Sequence, residues 1–178
     1  YSIDPPGCKD ADDAFSIYKE NDSLYLAIHI ADPTEYIDIH SDLWKDILMR
    51  GTTKYPSNRP PIHMMPNKVL ELANLQDKQE GEIKNAITVL TEINSETFEP
   101  MKEIKLLFSN IVVKKKNAFS YNQASLVSGE MNELIIGLNI SETLKKKRSL
   151  KTKGIKLNEL TIAYTIYENS EVYLYEDT

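Results

Sequence analysis

Four aspartates near the start of the chain lie on both sides of a Pro-Pro-Gly turn, at a spacing that suits metal chemistry. They are Asp4, Asp10, Asp12 and Asp13. Two like charges about 4 Å apart repel by roughly 4 kcal/mol at an effective dielectric near 20, so clustered carboxylates need a compensating positive charge. Hard divalent cations prefer such oxygen ligands. Because the turn resists helix and permits a sharp reversal, we expect Asp4 to fold back onto the other three and form a metal site.

Two other interpretations apply to an aspartate-rich segment. It can be a solvated loop, and composition alone leaves that alternative open. It can also be a calcium-binding loop, which requires Gly at its sixth position and Glu at its twelfth. Counted from Asp10, those positions hold Phe15 and Asn21. The spacing therefore excludes the calcium loop.

The string around the aspartates resembles the signature of the RNB domain, the catalytic module of ribonuclease II, ribonuclease R and the eukaryotic exosome-associated exoribonuclease. It reads SIDPPGCKDADDA over residues 2–14. Five further segments resemble family segments in the same order: AIHIAD (27–32), RGTTKY (50–55), MMP (64–66), KNAITV (84–89) and VVKKK (112–116). One departure is LANL at 72–75, where the family has LCSL.

The resemblance implies a hydrolytic enzyme that degrades single-stranded RNA from the 3′ end and releases 5′-mononucleotides, with Mg²⁺ or alternatively Mn²⁺ as cofactor. It implies Asp4 and Asp13 as direct metal ligands. Asp10 and Asp12 are then the catalytic pair, which completes the site as second-metal ligands or through water. Asp32 is the last residue of the AIHIAD segment, directly after the predicted strand, and is expected to orient the site.

Three residues are expected to contact RNA. Tyr55 matches the family tyrosine that holds the 3′-terminal nucleotide, and an aromatic ring can stack on any base. Arg50 belongs to the same segment, and Lys116 ends the VVKKK segment. The alternatives are a packed tyrosine and solvated basic faces. His29 alternates with apolar strand positions, which favours a structural role over metal binding.

The net charge of −6 is unevenly distributed. Residues 1–50 hold 11 Asp or Glu and 4 Lys or Arg, whereas the remaining 128 residues hold 16 and 17. The acidic excess therefore surrounds the proposed metal site, where cations would offset part of it. Basic runs at 114–116 and 145–148 are candidates for phosphate contact.

The periodicity of the chain predicts an α+β fold, with a mostly antiparallel sheet flanked by helices, as in the first half of an RNB catalytic domain. We expect residues 1–178 to form this N-terminal portion and to be inactive alone, since the family's later arginine motif, its second catalytic helix and its OB-fold modules do not occur in them. The expected elements are a hairpin (15–19, 24–30) around the turn at Asn21 and Asp22, a helix (42–50) ended by Gly51, an ordered proline-rich loop (52–66), strands (86–93, 103–113), helices (121–127, 130–150) and a final hairpin (161–167, 172–175). The helix over 130–150 is expected to be amphipathic, because the apolar residues Met131, Leu134, Ile135 and Leu138 recur at helical spacing.

The remaining expectations concern partners and location. The single cysteine excludes an internal disulfide and fits a reducing compartment, so we expect a cytoplasmic protein, or a nuclear one if eukaryotic. The expected partner is single-stranded RNA, with a larger RNA-degradation complex as a further candidate. No apolar run reaches the roughly 20 residues that span a bilayer, so no membrane association is expected. A non-catalytic RNB-like module that binds RNA or protein is the alternative function.

Overall fold

The computed structural model describes residues 1–6, 8, 11–76, 81–152, 162–166 and 172–176. Within these ranges the fold is α+β, as expected, with helices packed against a central antiparallel sheet. The helices are α1 (Asp42–Arg50), α2 (Asn67–Ala73), α3 (Tyr121–Val127) and α4 (Asn132–Thr152). The strands are β1 (Ser2–Asp4), β2 (Asp13–Glu20), β3 (Ser23–Ala31), β4 (Lys84–Ile93), β5 (Pro100–Ile111), β6 (Ala118–Ser120), β7 (Ile162–Ile166) and β8 (Val172–Glu176).

The central sheet has the strand order β2-β3-β4-β5, with every neighbouring pair antiparallel. Two smaller pairings accompany it. β1 pairs in parallel with β6, and β7 pairs antiparallel with β8. The sequence predicted the strands of the central sheet and the β7–β8 pair, but not the short β1–β6 pair, which joins segments more than a hundred residues apart.

A tight turn sets the register of the β2–β3 hairpin. Asn21 and Asp22 have φ angles of 48° and 67°, the left-handed geometry of a two-residue turn that matches strand twist. The register then places Asp13, the first residue of β2, opposite Ile30 near the end of β3. The aspartate-rich segment therefore leads directly into the edge of the sheet, as predicted.

Helix α4 covers part of one face of the central sheet. Its Ile140 packs with Ile17, Leu24 and Leu26 in one buried cluster. Gly137 permits this close approach, because a Cβ at that position would lie 3.3 Å from Cδ1 of Ile17.

The apolar stripe predicted for α4 is partly wrong. The predicted stripe included Leu138, which is 54% exposed. The residues that pack against the sheet are instead spaced four apart: Ile136, Ile140 and Leu144. Helix α4 therefore carries two apolar stripes. Packing against the sheet, and not the local sequence, determines which of them is buried.

Another part of the same sheet face is exposed. Ile28 and Ile30 are 40% and 43% exposed, although Leu24 and Leu26 of the same strand are buried. On β5, the alternating residues Ile104, Leu106 and Phe108 are also exposed. This apolar surface adjoins the part that α4 covers.

Helix α1 has the predicted bounds and ends at the predicted Gly51. Ser41 caps it by accepting a hydrogen bond from the Trp44 backbone, and Gly51 ends it with a φ of 69°. Helix α2 follows the proline-rich loop and was not predicted. It ends directly before residues 74–76. None of the helices in the described ranges is both long and apolar enough to cross a bilayer.

Candidate metal and RNA site

Asp4 ends strand β1, and its carboxylate is held on both oxygens. The residue is only 9% exposed. Nε2 of Gln76 donates to Oδ2 at 3.1 Å, and Sγ of Cys8 lies 3.7 Å from Oδ1, in position to donate a weak hydrogen bond. The carboxylate therefore has a defined orientation, set partly by a residue 72 positions away in the sequence.

Ala11 lies between Asp10 and Asp12, on the other side of the turn from Asp4, and it contacts the residues next to Gln76. Its backbone N–H donates to Oδ1 of Asn74 at 3.3 Å, and its carbonyl accepts from the Leu75 backbone at 3.0 Å. Asp4 and Ala11 are thus both bonded to residues 74–76. The segment folds back on itself, as the Pro-Pro-Gly turn predicts.

The other aspartates are less enclosed. Asp12 and Asp13 are exposed, and the Asp12 carbonyl accepts from the Ala31 backbone at 2.8 Å. Asp10 lies outside the described residues. Among those described, no three His, Cys, Asp or Glu residues lie close enough together to hold a metal ion. The convergence of Asp4, Asp10, Asp12 and Asp13 on one ion stays a prediction; chemically, the carboxylates of the set fit a hard divalent cation.

Asp32 is 2% exposed, and its carboxylate caps a 3₁₀ turn at Pro33–Tyr36. Oδ1 accepts from the Thr34 backbone at 3.0 Å and from the Thr34 hydroxyl at 2.5 Å. The Asp32 backbone donates to the Asn85 carbonyl at 3.1 Å. These bonds give Asp32 a structural task at the end of β3; its predicted influence on the metal site stays a prediction.

The predicted RNA contacts lie on the surface. Tyr55 is 75% exposed in the proline-rich loop, and Lys116 is exposed in a short 3₁₀ turn. Nη1 of Arg50 donates to the His63 carbonyl at 3.0 Å, which ties the loop to the end of α1. An antiparallel bridge between Lys54 and Ile62 closes the loop further. Tyr55 is therefore an accessible ring on an ordered loop.

His29 is a structural residue. It is 8% exposed, and its ring nitrogens hydrogen-bond to Ser16 at 2.9 Å and Thr88 at 2.8 Å. Thr88 in turn bonds to Ser109, so a polar chain crosses all four strands of the central sheet. Burial lowers the pKa of His29, and the positive Tyr1 amino group lowers it further.

We expect the folded chain to lose stability as the pH falls below about 6.5, the ordinary pKa of histidine. Unfolded His29 takes up a proton there, whereas folded His29 stays neutral until a lower pH, so protons favour the unfolded state. Above that range both states are neutral and His29 adds no pH dependence. Urea unfolding at about pH 7.5 and about pH 5 should show a smaller difference for His29→Gln than for the parent. His40→Gln, at an exposed position, is the control; a parental pH dependence in His29→Gln would refute the role.

A groove of about 630 Å³ runs between the β2–β3 hairpin and helices α3 and α4. Its lining is mostly apolar and includes Phe15, Ile28 and Leu138, with Asp13 and Arg148 as the charged members. No local pattern in the sequence indicates this groove, since its walls come from distant segments. One predicted metal ligand therefore borders an apolar groove.

Comparison with known proteins agrees with this fold. Residues 1–174 match the family model described as the RNB domain. The human exosome complex exonuclease RRP44 is 30% identical over 170 residues, which cover 92% of this chain and 17% of RRP44. The ribonuclease R of Mycoplasma genitalium, solved in complex with double-stranded RNA, has a TM-score of 0.79 at 19% identity, over 99% of this chain and 32% of that one.

Yeast Ssd1, which is described as a pseudonuclease, is a second structural relative. Its structure has a TM-score of 0.70 at 17% identity, over 90% of this chain and 19% of Ssd1. At such identities the likeness shows a shared fold. The chain spans at most about a third of the length of these three relatives.

Proposed function

We propose that this chain, which belongs to the RNB domain family, forms part of a magnesium-dependent exoribonuclease. The proposed enzyme hydrolyses single-stranded RNA from the 3′ end and releases 5′-mononucleotides, with Mn²⁺ as an alternative cofactor. The observation that carries the proposal is the folding back of the aspartate-rich segment, in which Asp4 bonds to Gln76 while Ala11 bonds to the adjacent Asn74 and Leu75.

In the proposed mechanism Asp4 and Asp13 would hold the metal directly, and Asp10 and Asp12 would complete the site. The bound cations would activate a water and stabilise the leaving oxygen of an in-line phosphoryl displacement. Asp12 and Asp13 lie at the protein surface, where RNA would arrive from solvent. Tyr55 stacks on a terminal base without reading its identity. Arg50 and Lys116 contact phosphates.

A non-catalytic RNB-like module is the second candidate, because the pseudonuclease Ssd1 shares the fold. The four aspartates favour the enzyme. In a site that binds no cation, no positive charge would offset the repulsion among the four carboxylates, and nothing else would favour placing these carboxylates close together.

The proposal is tested with the complete gene product and two samples of single-stranded RNA, one labelled at its 5′ end to follow shortening and one labelled throughout to follow the released nucleotides. With Mg²⁺ we expect progressive shortening from the 3′ end and release of mononucleotides, and with EDTA no shortening. Internal cleavage, or shortening that persists in EDTA, would contradict the proposed reaction. Binding of the RNA without any hydrolysis would favour the non-catalytic module.

Tyr55→Ala should lengthen the final RNA product of the complete enzyme by one or more nucleotides. Stacking on an aromatic side chain contributes about 1–3 kcal/mol per base, and the last few nucleotides have the fewest other contacts. Denaturing gel electrophoresis of the limit digest measures the length. Tyr121→Ala, which also removes an exposed tyrosine, should leave the product unchanged. An unaltered limit product from Tyr55→Ala would remove Tyr55 from the site.

Location and assembly are also proposed. The protein would work in the cytoplasm, or in the nucleus if eukaryotic, because its single cysteine suits a reducing compartment. Membership of a larger RNA-degradation complex is supported by the likeness to RRP44, whose name places it in the exosome complex.

A further inference from the structure

We infer that Gln76 and Asn74 are positioning residues for the metal site, acting through Asp4 and Ala11. The inference rests on the proposed function, since it concerns the site of that same reaction. Neither residue is expected to touch RNA or metal. Their task is to fix the two ends of the aspartate-rich segment relative to each other before a cation binds.

Gln76 acts on a predicted ligand directly. Its Nε2 donates to Oδ2 of Asp4 at 3.1 Å. A hydrogen bond to one carboxylate oxygen restricts rotation of the group and helps to orient it toward a cation. An amide does this without adding charge, whereas a lysine at the same place would compete with the cation for the carboxylate.

Asn74 acts on the backbone at the other end. Its Oδ1 accepts from the Ala11 N–H at 3.3 Å and from the Gln76 N–H at 2.9 Å. Asn74 is 4% exposed and Ala11 is fully buried. Oδ1 of Asn74 thus links the backbone next to Asp12 to Gln76, which holds Asp4. The position of Asp4 relative to Asp12 is therefore fixed by residues 74–76.

The segment itself is anchored to the central sheet. Leu75 is fully buried in a cluster with Ala14, Ala86 and Val113. Nζ of Lys84, at the start of β4, donates to the Leu72 carbonyl at the end of α2 at 3.4 Å. Residues 74–76 therefore form a rigid support between the sheet and the aspartates.

Mn²⁺ binding by the 178-residue chain, followed by the EPR signal of the free ion, tests the inference. We expect Gln76→Ala to weaken Mn²⁺ affinity about 10- to 100-fold, the usual effect of removing a partner of a metal ligand. The melting temperature without metal should stay close to the parent value, because Gln76 is only half-buried. A loss of affinity at unchanged stability is not expected from a merely structural residue. Asn74→Ala should also weaken Mn²⁺ binding. If Asn74→Ala does not fold, the Mn²⁺ affinity of Gln76→Ala alone decides whether the inference holds.

Asn122→Ala removes an exposed amide on α3 and serves as the matched control, with parental affinity expected. If the parent binds Mn²⁺ and Gln76→Ala binds it equally well, the positioning role is wrong while the proposed function stands. If the parent binds no Mn²⁺, the proposed metal site is wrong, and the inference is overturned with it.

Discussion

Asp12→Asn is expected to lower the turnover of single-stranded RNA by about 10²–10³-fold or more, with RNA affinity close to that of the parent. The estimate is the usual effect of removing one group that stabilises the transition state. Asparagine keeps the size of the side chain but removes the charge that would hold a cation and polarise the attacking water. RNA binding should survive, because it is attributed to Tyr55, Arg50 and Lys116.

Single-turnover kinetics on the complete enzyme, together with equilibrium RNA binding, separate the two effects. Asp22→Asn is the matched control, since Asp22 is an exposed turn residue with a φ of 67°, a geometry that asparagine also adopts. The expected control result is parental turnover. Weakened RNA binding in Asp12→Asn with normal hydrolysis of the bound RNA would contradict the assigned role.

Leu75→Ala should lower the free energy of unfolding by about 2–5 kcal/mol, the range for truncating a buried leucine. Leu75 has no exposed surface and packs with Ala14, Ala86 and Val113. Since a domain is stabilised by only about 5–15 kcal/mol, this would remove a large share of the total. The same change loosens the support beneath the aspartates, so Mn²⁺ binding should weaken as well.

Urea unfolding of the 178-residue chain measures the effect. Leu126→Ala is the control, because Leu126 is 80% exposed on α3 and its truncation should change the stability by less than about 0.5 kcal/mol. A loss below about 1 kcal/mol for Leu75→Ala would mean that this cluster does not anchor residues 74–76.

Local patterns in the sequence predicted the local structure well. The alternation from Leu24 to Ile30 and the turn at Asn21 and Asp22 defined the hairpin, and Gly51 marked the end of α1. Such signals depend on neighbours a few residues apart. The turn chemistry also predicted that Asp4 folds back toward the later aspartates.

The long-range contacts could not be predicted in this way. Gln76 reaches Asp4 across 72 positions, and Asn74 reaches Ala11 across 63. The sequence marked Asn74 only as a departure from the family text, because an asparagine in an apolar stretch does not reveal its partner. Helix α2 begins directly after Pro66 without a side-chain cap, so no capping signal marked its start.

The most direct test of the central claim is a crystal structure of the chain soaked with Mn²⁺, with the ion located by its anomalous scattering. We expect at least one ion bonded to carboxylates of both Asp4 and Asp13, with Asp10 and Asp12 bonded to the same ion, to a second ion beside it, or to a bridging water. Carboxylates that point to separate surfaces, with no two of them bonded to a common ion, would contradict the proposed metal site.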